Sequence, residues 1–135
     1  KTIVVSGKGD FIFFETKNFF SKKLDQKTIS SNLSDFIQNE EFEFVGLRDL
    51  LIDEDNLYLS VILQDTDKKY TLAIINSKLN YKKLIFQFFF KTELLLKNYS
   101  IGSGGRIVNY GKDKLLFTIG HLDLKDKIQS KEKRN

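Results

Sequence analysis

The chain has no cysteine, proline, tryptophan or methionine, and its only histidine is His121. Without cysteine there is no disulfide and no thiolate metal site, and nothing is learned about redox compartment. One histidine excludes a multi-histidine metal centre within the chain, and we assign no metal ligand. No apolar run reaches 18 residues, and the longest, Leu84 to Phe90, is broken by Gln87. A transmembrane helix is thereby excluded. Ile3-Val4-Val5 after Lys1 is too short for the apolar core of a signal peptide, so none is expected in this chain. Arginine is also scarce. Of 22 basic residues only Arg48, Arg106 and Arg134 are arginine, and the net charge is +4. The charges are interleaved, as in Asp65-Thr66-Asp67-Lys68-Lys69, without the clustered forks of a nucleic-acid reader. We expect neither nucleic-acid binding nor membrane insertion.

What is present is a globular composition: 135 residues, 41% hydrophobic and 30% charged, with 13 phenylalanines. That fits one domain and excludes wholesale disorder. Strand signals dominate. Thr2 to Val5 and Phe11 to Glu15 flank the glycine-rich turn Ser6-Gly7-Lys8-Gly9-Asp10 and read as a hairpin. Phe19-Phe20 and Lys27 to Ser31 supply two more strands, with Lys22 to Gln26 as their turn. The polar stretch 32–45 reads as a linker with one helical turn from Ser34 to Gln38. Four successive strands then follow: Gly46–Ile52, Leu57–Leu63, Tyr70–Ile75 and Leu84–Phe90. Arg106–Tyr110 and Leu115–Ile119 form another hairpin across Gly111 to Lys114, and a polar tail occupies 121–135.

Asp10-Phe11-Ile12-Phe13-Phe14, Asn56-Leu57-Tyr58-Leu59-Ser60 and Lys114-Leu115-Leu116-Phe117-Thr118 share a polar turn residue followed by an apolar strand. Their starts are 46 and 58 residues apart. Four-stranded units at about 40–50 residues mark a β-propeller. The strands are apolar on both faces, as in sheets covered on both sides. The fold expected is therefore all-β: antiparallel four-stranded blades of a partial β-propeller. Blade 1 covers about 1–31, blade 2 about 46–90, and blade 3 begins at about 105–120. That is about two and a half blades of six. Propellers close with about 4–8 blades, so the expectation is a fragment, with the rest of the propeller missing from this chain.

Gly102-Ser103-Gly104-Gly105-Arg106-Ile107-Val108, followed by Asp113-Lys114-Leu115-Leu116-Phe117-Thr118-Ile119-Gly120, resembles a signature of the glucose/sorbosone dehydrogenase family. Gly46-Leu47-Arg48-Asp49 with Asp53 and Leu57-Tyr58-Leu59-Ser60 is similar to an earlier blade of that family. The resemblance spans about Lys1 to Gly120. It implies a six-bladed propeller using pyrroloquinoline quinone and calcium to oxidise sugars, periplasmic or secreted. It makes Arg106, Gly104 and Gly105 the cofactor-side residues. The chain departs from the pattern at the chemistry. The family's catalytic histidine, a general base, is replaced by Gly102, the aspartate that orients it by His121, and a cofactor-side acid or glutamine by Phe44-Val45. Losing a positioned base removes about 10²–10⁴ in rate. The resemblance thus implies weakened or lost activity, with His121 the remaining catalytic candidate.

Each candidate has a plainer reading. Arg106 faces a central channel or bridges a blade carboxylate. Gly102, Gly104 and Gly105 let backbone approach a ligand, or form a turn. His121 is a catalyst or a loop residue. Asp53, Glu54 and Asp55, and Asp65 with Asp67, lack EF-hand spacing and read as turns. The sequons at Asn32 and Asn98 read as chance. A rival function is a non-catalytic propeller that binds a sugar, peptide or protein partner.

Overall fold

A computed structural model of the chain describes residues 1–92, 104–112 and 114–119. Gly102, His121, Asn98 and the tail 121–135 lie outside the described residues. In chain order the elements are β1 (Thr2–Val5), β2 (Phe11–Phe14), β3 (Lys27–Ser31), α1 (Leu33–Asn39), β4 (Glu43–Asp53), β5 (Asn56–Gln64), β6 (Tyr70–Lys78), β7 (Lys83–Leu84), β8 (Gln87–Lys91), β9 (Gly104–Asn109) and β10 (Leu115–Ile119). A single 3-10 turn, Thr16–Asn18, follows β2. Three sheets result: β1-β2-β3-β7, the central β4-β5-β6-β8, and the hairpin β9-β10. Among the described residues the structure is mostly β, the pairings are antiparallel except β3 with β7, and no sheet closes into a barrel.

The inner strands β5 and β6 of the central sheet are buried on both faces, which explains why they do not alternate in polarity. Leu57, Leu59, Val61 and Leu63 of β5 share one face with Ala73 and Ile75 of β6 and join Phe11, Ile29 and Leu84 of the first sheet in one core. The rings of Phe11 and Phe86 stack across that layer at 5.6 Å. The register sends Tyr58, Ser60 and Ile62, with Leu72, Ile74 and Asn76, to the opposite face. There β9-β10 lies against β4 and β5. The three sheets are thus stacked as layers, with the central one in the middle.

Several expectations need correction. Phe19-Phe20 is not a strand: its residues lie in the loop between β2 and β3, where no partner strand reaches them. The fourth strand of the first sheet is instead β7, supplied from between β6 and β8 of the central sheet. Leu84–Phe90 divides at Ile85-Phe86 because Leu84 joins the first sheet and Gln87 onward joins β6. The stretch 32–45 holds a two-turn helix, whose Leu33 and Ile37, four apart, bury one side against the core.

Asn32, read as a chance sequon, is a structural residue. Its side chain makes no helix cap. Instead Oδ1 accepts from the Phe86 N–H at 2.7 Å and Nδ2 donates to the Phe86 carbonyl at 3.4 Å. It thereby satisfies a backbone group where β7 breaks away to β8. Asn32→Ala should lower stability by about 1–3 kcal/mol, because a part-buried N–H loses its acceptor. A urea midpoint within error of the parent would show that water replaces the amide.

Candidate functional site

The residues singled out at 104–106 meet β4 along one seam. β4 reaches it through a bulge. Leu47 opposes Val61 and Asp49 opposes Ser60, leaving Arg48 as the extra residue. A bulge breaks the two-residue alternation, so consecutive side chains can reach the same face. Both Arg48 and Asp49 accordingly meet β9. A Cβ on Gly105 would lie 2.7 Å from Arg48 Cβ and 2.9 Å from Ser60 Oγ. The Asp49 carboxylate, 18% exposed, accepts from the Ile107 N–H at 3.0 Å through Oδ2 and from the Leu50 N–H at 3.0 Å through Oδ1. Arg106 Nη1 lies 3.6 Å from Asp49 Oδ1 with its side chain 78% exposed.

Further along, Asn109 Nδ2 donates to Asp53 Oδ1 at 2.7 Å. Contacts therefore advance in the same direction on both strands: Gly105 at Arg48, Ile107 at Asp49, Asn109 at Asp53. β4 and β9, in different sheets, run side by side in the same sense. Beyond this seam the layers splay. A groove of about 390 Å³ opens between Ile74, Phe89 and Phe90 on one side and Leu115, Phe117 and Ile119 on the other. A second bulge explains the adjacent phenylalanines. Ile75 pairs with Phe88 and Ile74 with Phe90, so Phe89 is the extra residue.

Gly104 and Gly105, at φ +74° and +101°, open β9 rather than forming a free turn. Arg106 pairs with the Asp49 carboxylate while most of its side chain stays exposed. Asp53 serves the seam, while Asp65 closes its own turn by accepting the Lys69 N–H at 2.8 Å. Asp49 enters the sequence reading only within Gly46-Leu47-Arg48-Asp49, with no role of its own. Its signal is a carboxylate among Leu47, Leu50 and Leu51 in a strand enclosed on both faces, where a charge needs partners. Ser60 Oγ, fully enclosed, has no hydrogen-bond partner among the described residues.

The cofactors implied by resemblance find little here. Among the described residues no group of three Asp, Glu, His or Cys side chains is placed to hold a metal ion, and Arg106 is turned to Asp49. No protein-family model, curated protein or solved structure matches the chain.

The seam makes a graded prediction. Asp49→Ala should cost about 1–3 kcal/mol by orphaning the buried Ile107 N–H. Arg106→Ala should cost less than about 1 kcal/mol, since exposed pairs contribute little. Urea unfolding of the two variants separates them. Equal losses would mean that the ion pair, not the backbone bond, ties β9 to β4.

Proposed function

We propose that the chain forms successive blades of a β-propeller of the glucose/sorbosone-dehydrogenase type in which sugar oxidation is weakened or lost. One observation carries this reading. The first strands of two consecutive antiparallel units, β4 and β9, lie side by side and run in the same sense. Blades repeated around an axis bring their first strands together in that way. The sequential order β4-β5-β6-β8 is that of a four-stranded blade. The splayed groove between β8 and β10 suits layers that diverge outward from an axis. Further blades would cover the exposed Val108, Tyr110 and Leu116 of the hairpin. By the same resemblance the protein works in the periplasm or outside the cell.

The lost chemistry follows from the residues. Gly102 has no side chain to take a hydroxyl proton. Arg106 is held by Asp49, which also favours the second reading, a non-catalytic propeller that holds a sugar, peptide or protein partner by its loops. Titration with pyrroloquinoline quinone in the presence of calcium, followed by aldose-dependent dye reduction, tests both. Binding without turnover supports a decayed dehydrogenase, and binding with turnover would move the chemistry to other groups, His121 first. Failure to bind discards the dehydrogenase reading and leaves the binding module.

A further inference from the structure

The loop between β2 and β3 carries the most exposed large apolar side chain among the described residues. Phe20 is 94% exposed and Phe19 56% exposed. The loop is not a loose excursion. Ser21 Oγ donates toward two carbonyls, Asn18 O at 2.8 Å and Lys23 O at 2.7 Å. The Asn18 and Phe19 N–H groups close tight turns onto Glu15 O and Thr16 O. The rings form a ladder outward from the core. Buried Phe14 lies 5.9 Å from Phe19, and Phe19 meets Phe20 edge-on at 5.0 Å. Phe20 is thus propped in water with only one ring beside it. A side chain of this size so fully exposed loses the gain of burial that Phe11 and Phe86 enjoy on the other side of the sheet.

The charges around it are of one predominant sign. Lys17, Lys22 and Lys23, within three residues of the ring pair in sequence, are exposed, and between residues 15 and 27 four lysines stand against Glu15 and Asp25. An exposed apolar tip within a lysine-rich loop matches one chemistry in particular: acyl chains beneath anionic headgroups. A protein partner fitted to Phe20 would offer a concave pocket, but it would not call for the lysines. We propose that this loop docks the protein on an anionic lipid surface, Phe20 and Phe19 entering the headgroup layer while Lys17, Lys22 and Lys23 meet the phosphates. This is contact with one leaflet, not a span, and it is compatible with the chain having no helix long enough to cross a membrane among the described residues. The loop extends the first sheet and is separate from the β4–β9 seam.

The test uses the absence of tryptophan from the chain. Phe20→Trp places a single indole at the tip. Its emission should shift to shorter wavelength on adding vesicles of phosphatidylserine mixed with phosphatidylcholine, and stay unshifted with pure phosphatidylcholine. Raising salt from about 0.1 to about 0.5 M should reverse the shift. In cosedimentation Phe20→Ser should weaken binding about tenfold, and Lys22→Glu with Lys23→Glu should weaken it at least tenfold. All of these side chains are exposed, so far-UV dichroism should match the parent. No shift with anionic vesicles, or an equal shift with neutral ones, overturns the proposal. A shift without lipid that grows with protein concentration also overturns it and makes the loop a contact between copies of this chain.

Discussion

Leu59→Asp is expected to abolish the folded, soluble protein. Leu59 is fully enclosed on β5, between Leu50 of β4 and Ile75 of β6 in register, and it faces the first sheet. A carboxylate there has no cation and no hydrogen-bond donor to meet, so it is buried either charged or forced to protonate. Such changes exceed about 4–5 kcal/mol, against a total stability of about 5–15 kcal/mol for a domain. Leu59→Ala, which leaves only a cavity, should cost about 2–5 kcal/mol and keep the fold. Phe88→Asp provides the contrast. From the sequence the two positions look alike, but Phe88 is only partly buried, packed between Phe36 and Phe42 with Lys91 Nζ 5.1 Å above its ring. An aspartate at 88 can turn to that ammonium and to water, so this variant should stay folded at reduced stability. Soluble yield and a thermal melt decide. Equal behaviour of the two aspartates would show that the layer between the first and central sheets is not the core.

The difference between those two positions marks how far the sequence could be read. Strands β5 and β6 were legible because their residues are mostly apolar between turn signals, as burial on both faces demands, and β4 and β10 because short apolar runs are bounded by turn residues. β1, β3 and β10 end where expected, whereas the ends of β4 and β6 and the faces of the side chains were not legible. A bulge has no residue signature of its own, so nothing in Arg48-Asp49 or Phe89-Phe90 announces that neighbours in sequence share a face. Phe19-Phe20 had the composition of a strand, but a strand requires a partner, and the backbone around Ser21 closes on itself instead. β7 is only two residues long and pairs with residues 53 positions earlier, Ser30 with Lys83 and Ser31 with Leu84. No local pattern specifies such a contact, and Asn32 was missed for the same reason. At the seam, Gly104, Gly105 and Arg106 were legible as a motif. Their partner Asp49 was not, because its role depends on the register between two sheets.

Gly105→Ala should separate the hairpin from the central sheet. Two independent costs act at this position. Its φ of +101° lies where side-chain-bearing residues are strained, by about 1–3 kcal/mol. In addition, the new methyl would sit 2.7 Å from Arg48 Cβ and 2.9 Å from both Arg48 Cγ and Ser60 Oγ. Arg48 Cβ is fixed to the bulged backbone and cannot swing away, so β9 itself has to move. Overpacking of that kind costs about 1–3 kcal/mol more. A displaced β9 also draws the Ile107 N–H away from Asp49, so the loss should reach or exceed that of Asp49→Ala. The two changes should not add in the double variant, because each breaks the same docking. Gly111→Ala isolates the backbone term: it has φ +72° but nothing within 4 Å of the new methyl, so it should cost only about 1 kcal/mol. Gly7→Ala, at an ordinary φ with open space, should be neutral. Hydrogen exchange at Ile107 gives the local readout, and it should quicken in Gly105→Ala and stay slow in Gly111→Ala. If Gly105→Ala melts like Gly7→Ala and keeps Ile107 protected, the hairpin does not pack on β4, and the side-by-side strands on which the propeller reading rests are lost with it.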